Sequence, residues 1–290
     1  VFSILTGGSY LLNCTYFAMI SFAASWFLFL RLSSMDIEKR IVWWSILFLF
    51  PGLLFWGSGV LKETVVIASL FAVSGVYIGY KKRIEKNKVI ELLILFLSLF
   101  LLIKIKYYVA AVFVPLTAFT FYFQFVKHNV KLNKSIYKYL LPAFLVVMAV
   151  WFVTSLSPNF EPGNLLNRIV IDHNRLMQVS YDPDFRINFL DYSPDYFSFL
   201  KNGPLALYSG LFRPMLWEGN HVFQIIAGLQ NTFMLLISCF ALIQQIMSKK
   251  KPSVEAIILI IYCLVMATFL AYSTPNFGTL ERYKVLYQPF

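Results

Sequence analysis

Long apolar stretches, separated by short charged linkers, recur along the whole of this 290-residue chain. Eight of them are long enough to approach or cross the hydrocarbon core of a membrane, about 30 Å thick, as helices. They cover approximately Tyr10–Leu30, Ile41–Trp56, Thr64–Tyr80, Val89–Ile103, Tyr107–Val126, Tyr139–Leu156, Val222–Ile246 and Ala256–Ser273. A ninth stretch begins at Val285. The pattern predicts an all-α fold, a polytopic transmembrane helical bundle of about eight spans.

The composition agrees with a protein embedded in a membrane. Hydrophobic residues make up 59% of the chain and charged residues only 13%, whereas soluble domains carry about 25% charged residues. The net charge of +11 does not indicate a nucleic-acid partner, because the basic residues cluster at the ends of the apolar stretches. Cys14, Cys239 and Cys263 fall inside apolar runs and are therefore expected to be small core residues, not ligands of zinc or halves of a disulfide.

The distribution of charge orients the predicted spans. Four linkers, at 31–40, 81–88, 127–138 and 248–252, hold 15 of the 25 Lys and Arg residues but only three of the 14 acidic residues. The positive-inside rule therefore places these linkers in the cytoplasm. The intervening segments then lie outside, and they are 62–63, 104–106, 157–221 and 274–284.

Segment 157–221 is predicted to be one long extracytoplasmic loop, because it contains six prolines and seven of the 14 acidic residues. Its aromatic content favours an ordered loop against the membrane, with a candidate interfacial helix at Asn164–Val179. No other boundary divides the chain, so residues 1–290 are expected to form a single transmembrane domain. The chain begins with Val1 on the outer face and has no signal peptide, and we therefore expect it to be an internal part of a longer protein.

Charged residues on the predicted outer face form four groups that could bind a substrate. The first is Lys62-Glu63, in a short turn that follows Gly57 and Gly59, after a span that Pro51 should kink. The other three groups lie at 104–108, 210–218 and 274–284. Paired Arg and Lys side chains suit a phosphate group, since guanidinium binds it bidentately and ammonium adds a point charge. An interfacial ion pair and lysines that snorkel beside aromatic residues are the ordinary alternatives. The substrate-binding candidates are Lys62, Lys104, Lys106, Arg213, Glu218, Arg282, Tyr283 and Lys284.

The order of these elements resembles the glycosyltransferase C superfamily, particularly the bacterial relatives of protein and lipid mannosyltransferases. One shared pattern is a basic cytoplasmic linker, a span with a proline and an outer acid, as in Arg31, Pro51 and Glu63. A second pattern is a span that ends in an outer lysine and is followed by a proline-containing span, as in Lys104 or Lys106 with Pro115. The third is an Arg-Tyr pair near a late span, as in Glu281-Arg282-Tyr283, although Pro289 lies farther away than the family's usual proline.

The resemblance implies that a sugar is transferred from a polyprenyl-phosphate donor to a glycan or lipid acceptor at the outer membrane face. Glu63 matches the family's second outer acid, with an auxiliary role, and the main catalytic base would lie upstream of these residues. Lys104, Lys106, Arg282 and Lys284 would bind the donor phosphate. Asp172 and His173 are weaker candidates, and we expect them to be surface polar groups. The resemblance leaves a divalent cation open as a cofactor and implies cell-envelope assembly in a bacterial cytoplasmic membrane.

Two other functions fit parts of the sequence. An O-antigen-polymerase-like or ligase-like enzyme would use outer arginines, and Arg168, Arg175, Arg186 and Arg213 all lie in segment 157–221. A transporter or flippase without chemistry would place charged residues inside its spans. Glu91 is the only candidate of that kind, and it lies close to the cytoplasmic end of its span.

Overall fold

The computed structural model of the chain describes residues 7–84, 87–128, 144, 147–148, 151–152, 154–155, 157–179, 185–248 and 251–290. Within these residues the regular structure is helical, with eleven α-helices, two 3₁₀ helices at Pro158–Phe160 and Leu216–Glu218, and no β-strand apart from one isolated bridge. The α-helices are α1 (Tyr10–Met35), α2 (Arg40–Phe48), α3 (Pro51–Gly57), α4 (Lys62–Lys82), α5 (Lys88–Ile105), α6 (Tyr107–His128), α7 (Pro162–Gln178), α8 (Tyr196–Phe212), α9 (Val222–Ser248), α10 (Val254–Ser273) and α11 (Phe277–Lys284). The predicted all-α fold is confirmed.

Five of these helices are long and apolar enough to cross a membrane: α1, α4, the Tyr107–Val126 part of α6, α9 and α10. Each of them contains one of the predicted spans. Helices α2 and α3 together would make a sixth crossing, with a bend of 46° between them. Helices of this length and composition indicate an integral membrane protein.

The bend between α2 and α3 lies where the sequence predicts a kink. Pro51 is the first residue of α3, a position that proline favours because its missing N–H would have no partner there. The predicted span Ile41–Trp56 is therefore two helices rather than one continuous helix. Lys62-Glu63 also differs from the prediction, since these residues form the start of α4 instead of lying in a turn between helices.

Three further predicted elements have different outcomes. The stretch Val89–Ile103 lies in α5, an 18-residue helix that is not among the five candidate spans because it carries three charged residues. The predicted span Tyr139–Leu156 lies for the most part outside the described residues. The prediction of a ninth span at Val285 is wrong, because residues 285–289 form turns.

Segment 157–221 is mostly helical instead of being one long loop. Helix α7 confirms the predicted helix at Asn164–Val179 to within two residues. Helix α8 was not predicted, although its start carries a clear signal. The Asp195 side chain accepts a hydrogen bond of 2.9 Å from the backbone N–H of Ser198, which is the usual way in which aspartate caps the N-terminus of a helix.

The chain divides into two compact units. Among the described residues, the first unit holds 7–114 without residues 85–86, together with 121–128. Helix α4 lies at its centre and packs against α1 and α5. A helix that is apolar on all sides belongs in an interior, and Val66, Ile67 and Leu70 of α4 are completely buried. At Gly75 an added Cβ would lie 2.5 Å from the ring of Phe27, so glycine is needed where α4 approaches α1.

The second unit holds residues 115–120, the described residues from 144 to 288, and Phe290. Helix α10 packs against α8 and α7. The chain after α10 then turns back along that helix, since the Tyr262 hydroxyl donates a hydrogen bond of 2.9 Å to the carbonyl of Leu286. Tyr262 lies about 16 Å, at 1.5 Å per residue, from the end of α10 at Ser273. The polar residues of α11 are thereby brought into the interior of the unit.

The three cysteines are free. Cys14 and Cys263 are half-buried, whereas Cys239 is exposed on the surface of α9. The prediction that all three are core residues is therefore wrong for Cys239. An apolar surface on a candidate span faces lipid as readily as protein, and composition alone does not separate the two environments.

Candidate functional site

A buried ion pair joins two of the predicted site residues in the first unit. Glu63 lies in the first turn of α4 and Lys106 in the short connection between α5 and α6, and the distance between Glu63 Oε1 and Lys106 Nζ is 2.6 Å. The side chain of Glu63 is 0% exposed and that of Lys106 is 6% exposed. The Lys106 ammonium also lies 5.5 Å from the ring centre of Tyr108. Lys106 is therefore held by a carboxylate at the position where the sequence predicts a phosphate ligand.

The other two lysines of this face are exposed. Lys62 precedes Glu63 on the outside of α4. Lys104 lies near the end of α5, with its ammonium 6.0 Å from the ring centre of Phe100. Only these two of the candidate lysines in the first unit are reachable from the surface.

A second buried ion pair lies at the opposite end of α4. Arg31 of α1 pairs with Glu91 of α5, and its guanidinium also donates a hydrogen bond of 2.9 Å to the carbonyl of Ile84. The linkers predicted to share the cytoplasmic face thus contact one another, as do the outer residues Glu63 and Lys106. The two ends of α4 are about 30 Å apart at 1.5 Å per residue. Glu91 is therefore paired with Arg31, which argues against a role for Glu91 in the pathway of a transporter.

In the second unit, Arg213 and Glu218 form an ion pair at the end of α8. The guanidinium contacts Glu218 Oε1 through Nε at 2.7 Å and through a terminal nitrogen at 2.5 Å. The other carboxylate oxygen accepts a hydrogen bond of 2.6 Å from the backbone N–H of Met215. Arg213 also lies over the ring of Phe277, at 4.8 Å. About 21% of the Arg213 side chain is exposed, so a ligand can reach it.

A second carboxylate, Glu281 of α11, lies deeper in the same unit and accepts contacts from two sides. Lys284 Nζ lies 2.7 Å from its Oε1, and the side-chain amide of Asn231 donates to the same oxygen at 2.7 Å. The Asn231 carbonyl oxygen in turn accepts a hydrogen bond of 3.0 Å from Gln288. Lys284 also donates to the backbone carbonyl of Arg213. The two ion pairs are thereby connected, and together they form the charged network, whose members are Arg213, Glu218, Asn231, Glu281, Lys284 and Gln288.

Lys284 is completely buried within the charged network, with none of its side chain exposed. Burial lowers the pKa of Lys284, and the charge of Glu281 counteracts that effect. A buried ammonium requires a carboxylate partner because an isolated charge is costly to remove from water. Lys284 therefore holds the network together and is not reachable as a phosphate ligand.

Arg282 and Tyr283 lie on the more exposed side of α11. Both are half-buried, and the Arg282 guanidinium lies 5.7 Å from the ring centre of Tyr283. Residues two apart on a helix do not face each other. The structure therefore does not bring Arg282 and Lys284 together, although the sequence suggested a joint phosphate site.

The two weaker candidates have different environments. Asp172 is partly exposed and pairs with Arg168 one turn away, at 3.1 Å, as expected for a surface polar group. His173 is buried instead, and its Nδ1 lies 3.0 Å from the backbone carbonyl of Tyr272. Burial lowers the pKa of His173.

Sequence analysis missed Asn231 and Gln288, two polar members of the charged network, and Gln230 beside them. Asn231 is completely buried, and the neighbouring Gln230 donates a hydrogen bond of 3.1 Å to Gln288. The signal was present, because Gln230-Asn231-Thr232 interrupts an otherwise apolar stretch. Polar residues within membrane spans usually mark an interior contact or a functional site.

The charged network contains two positive and two negative groups, so it has no net charge in this arrangement. An incoming phosphate would have to compete with Glu218 for the guanidinium of Arg213. Among the described residues, no group of three or more His, Cys, Asp or Glu side chains is arranged to hold a metal ion. Among the basic residues predicted for the site, a ligand can reach Arg213 and Arg282 in this unit and Lys62 and Lys104 in the first.

No protein-family model matches this chain, and no curated protein or solved structure is significantly similar to it.

Proposed function

We propose that this protein is a membrane glycosyltransferase that transfers a sugar from a polyprenyl-phosphate donor to a glycan or lipid acceptor at the extracytoplasmic face. The observation that carries the proposal is the charged network, in which the ends of α8 and α11 hold arginine, lysine and glutamate side chains inside a membrane protein. Charged groups at such positions are costly and are usually retained for a function. The resemblance to the glycosyltransferase C superfamily supplies the reaction.

In the proposed reaction, Arg213 and Arg282 bind the donor phosphate. Guanidinium groups stabilise the charge that develops on a leaving phosphate. Arg213 would exchange Glu218 for the phosphate, since its side chain is partly exposed. Lys284 and Glu281 act as supporting groups, because Lys284 donates to the backbone carbonyl of Arg213 and so fixes the end of α8.

Glu63 has an auxiliary role in this proposal. Its carboxylate is buried against Lys106, which suits a residue that positions a neighbouring loop better than one that removes a proton from an acceptor. A divalent cation remains open as a cofactor.

The remaining features of the topology belong to the same proposal. We propose eight spans, of which Val89–Ile103 is the fourth and Tyr139–Leu156 is the sixth. Segment 157–221 would lie at the extracytoplasmic surface. The protein would reside in a bacterial cytoplasmic membrane and contribute to cell-envelope assembly. Its partners would be membrane lipid, the polyprenyl-phosphate sugar and the acceptor.

Transfer of a labelled sugar from a polyprenyl-phosphate donor, measured with the full-length protein in membranes, tests the proposal. Arg213→Gln and Arg282→Gln should each reduce transfer by at least tenfold, because each removes a reachable phosphate ligand. Arg175→Gln is the matched control, since Arg175 is exposed on α7, and it should leave transfer unchanged. Near-normal transfer by both the Arg213 and the Arg282 variant would refute the assignment. Extension of a lipid-linked polymer in place of single transfer would support the polymerase-like alternative.

A further inference from the structure

Arg186 differs from four other buried or half-buried cations of this protein. Arg31, Lys106, Arg213 and Lys284 each have a carboxylate partner. Arg186 is half-buried, yet among the described residues its side chain has no ion pair, and its buried Nε has no hydrogen-bond acceptor. A guanidinium that is partly removed from water gains most from an anionic acceptor.

The backbone holds Arg186 beside the end of α10. Residues 185–187 run antiparallel to residues 275–277, and Arg186 forms a bridge with Asn276. The N–H of Ile187 donates to the carbonyl of Pro275 at 2.8 Å, and the N–H of Phe277 donates to that of Phe185 at 3.3 Å. The position of Arg186 is therefore set by backbone hydrogen bonds on either side of it.

An aromatic cluster lies next to this bridge. Its members are His173, Phe189, Tyr192, Phe199 and Tyr272. The ring centres of His173 and Tyr192 are 4.7 Å apart, those of Phe189 and Tyr192 are 4.9 Å apart, and those of Phe199 and Tyr272 are 4.6 Å apart. Phe189 and Tyr192 are only half-buried, so part of the cluster is open to a ligand.

His173 adds a hydrogen-bond acceptor to the cluster. Its Nδ1 donates to the carbonyl of Tyr272, so in the neutral imidazole Nε2 carries the lone pair. Among the described residues, Nε2 has no hydrogen-bond partner. Burial lowers the pKa of His173, and the charge of Arg186 adds to that effect. The imidazole is therefore neutral near pH 7 and can accept a hydrogen bond from a hydroxyl group.

We propose that Arg186 and the aromatic cluster form a binding site for an anionic sugar. The guanidinium binds a phosphate or carboxylate on the sugar, an aromatic ring of the cluster packs against its apolar face, and His173 Nε2 accepts a hydrogen bond from one of its hydroxyls. That the ligand is anionic is inferred from Arg186 itself. That the ligand is a sugar rests on the proposed function.

Calorimetric titration of the purified full-length protein in nanodiscs tests this site with four probes: glucose 1-phosphate, glucuronate, glucose and inorganic phosphate. At least one of the two anionic sugars should bind more tightly than glucose and more tightly than inorganic phosphate. Binding of glucose 1-phosphate alone identifies a phosphate as the anion, and binding of glucuronate alone identifies a carboxylate. Glucose or inorganic phosphate binding as tightly as both anionic sugars would overturn the site.

Arg186→Gln should weaken the anionic sugars at least tenfold, and Arg175→Gln, the matched change on exposed α7, should have no effect. Tyr192→Leu should weaken the anionic sugars while inorganic phosphate is unaffected. Unchanged binding by Arg186→Gln would refute the proposal. The melting temperature of Arg186→Gln should equal or exceed that of the unmodified protein, because the change removes a half-buried charge that has no ion pair among the described residues. This measurement verifies that the variant is folded.

The binding test and the transfer test fail separately. Binding that depends on Arg186, without any sugar transfer from a polyprenyl-phosphate donor, would preserve this site and reject the proposed function. Transfer that depends on Arg213 but is unaltered in Arg186→Gln, with no binding of anionic sugars, would support the proposed function and reject this site.

Discussion

At the scale of single residues, the buried charges of this protein are held by local pairing. Glu63 is completely buried and contacts Lys106, and Lys284 is completely buried and contacts Glu281. An ion pair of this kind adds little stability compared with apolar residues of the same size, but removing one partner leaves an uncompensated charge. The pairs are therefore sensitive to single substitutions and tolerant of suitable double ones.

This difference gives a prediction for the pair of Glu63 and Lys106. Glu63→Met and Lys106→Met should each lower the free energy of unfolding by about 3–5 kcal/mol, because each leaves its partner charged and buried. The double variant should recover most of that loss. Thermal or denaturant unfolding in a defined detergent measures these changes.

Lys62→Met is the control for this experiment. Lys62 neighbours Glu63 but is exposed, so its replacement should change stability by no more than about 0.5 kcal/mol. Single variants at 63 and 106 as stable as the unmodified protein would show that the pair is not formed. A double variant that is no more stable than either single variant would show that other contacts of these side chains, and not the ion pair, cause the loss of stability.

At the scale of helices, close approach in the second unit depends on a small residue. A Cβ added at Gly210 of α8 would lie 2.1 Å from the backbone carbonyl oxygen of Ala267 in α10. Neither backbone can move away without disturbing its helix. The same glycine carbonyl accepts a hydrogen bond of 2.5 Å from Tyr287, so the site also anchors the chain that follows α11.

Gly210→Ala should therefore destabilise the protein by about 1–3 kcal/mol or more, the usual cost of an overpacked interior. Gly163→Ala is the matched control, because an added Cβ at Gly163 of α7 would meet no atom within 4 Å. Its melting temperature should be unchanged or higher, since alanine favours a helix more than glycine does. Equal melting temperatures for the two variants would contradict the close contact between α8 and α10.

Helices were predictable where one physical signal dominates. The uncharged run within α4 and the proline at the start of α3 each identify their element, because membrane helices need long apolar runs and proline interrupts a helix. Helix α8 was not predicted, because Pro204 and the aromatic residues of this segment are typical of a loop. Asp195 and Ser198, which cap the helix, are the signal that indicates its start. The turn of the chain back along α10 has no local signal at all.

The sequence indicated some of the charged residues of the candidate site but not their pairing. The charge bias assigned Glu63, Lys106, Arg213 and Lys284 to one membrane face, and the structure brings Glu63 to Lys106 and Lys284 to the backbone of Arg213. The charge bias could not show that carboxylates hold these lysines, because the partners are brought together only by folding. Asn231 and Glu281, which are joined at 2.7 Å, lie far apart in sequence. A polar residue in an apolar stretch can be noticed from sequence, but its partner cannot be identified.

At the scale of the whole molecule, the two ends of α4 are predicted to lie at opposite faces of the membrane. Lys62 and Lys82 are the first and last residues of this helix. A rise of 1.5 Å per residue separates them by about 30 Å, which matches the thickness of the hydrocarbon core. Contacts at each end agree with the predicted grouping of the linkers, and which end is extracytoplasmic remains a prediction from the positive-inside rule.

Cysteine labelling determines that orientation directly. In a variant whose three native cysteines are replaced by alanine, Lys62→Cys should react with a membrane-impermeant maleimide added to intact cells, and Lys82→Cys should react only after the cells are permeabilised. Both side chains are exposed, so a difference in labelling reports sidedness and not burial. The reverse pattern would place the charged residues of the outer groups in the cytoplasm. A polyprenyl-phosphate sugar presented at the opposite face could not then reach Arg213 or Arg282, and the proposed transfer reaction would have to be abandoned together with the orientation.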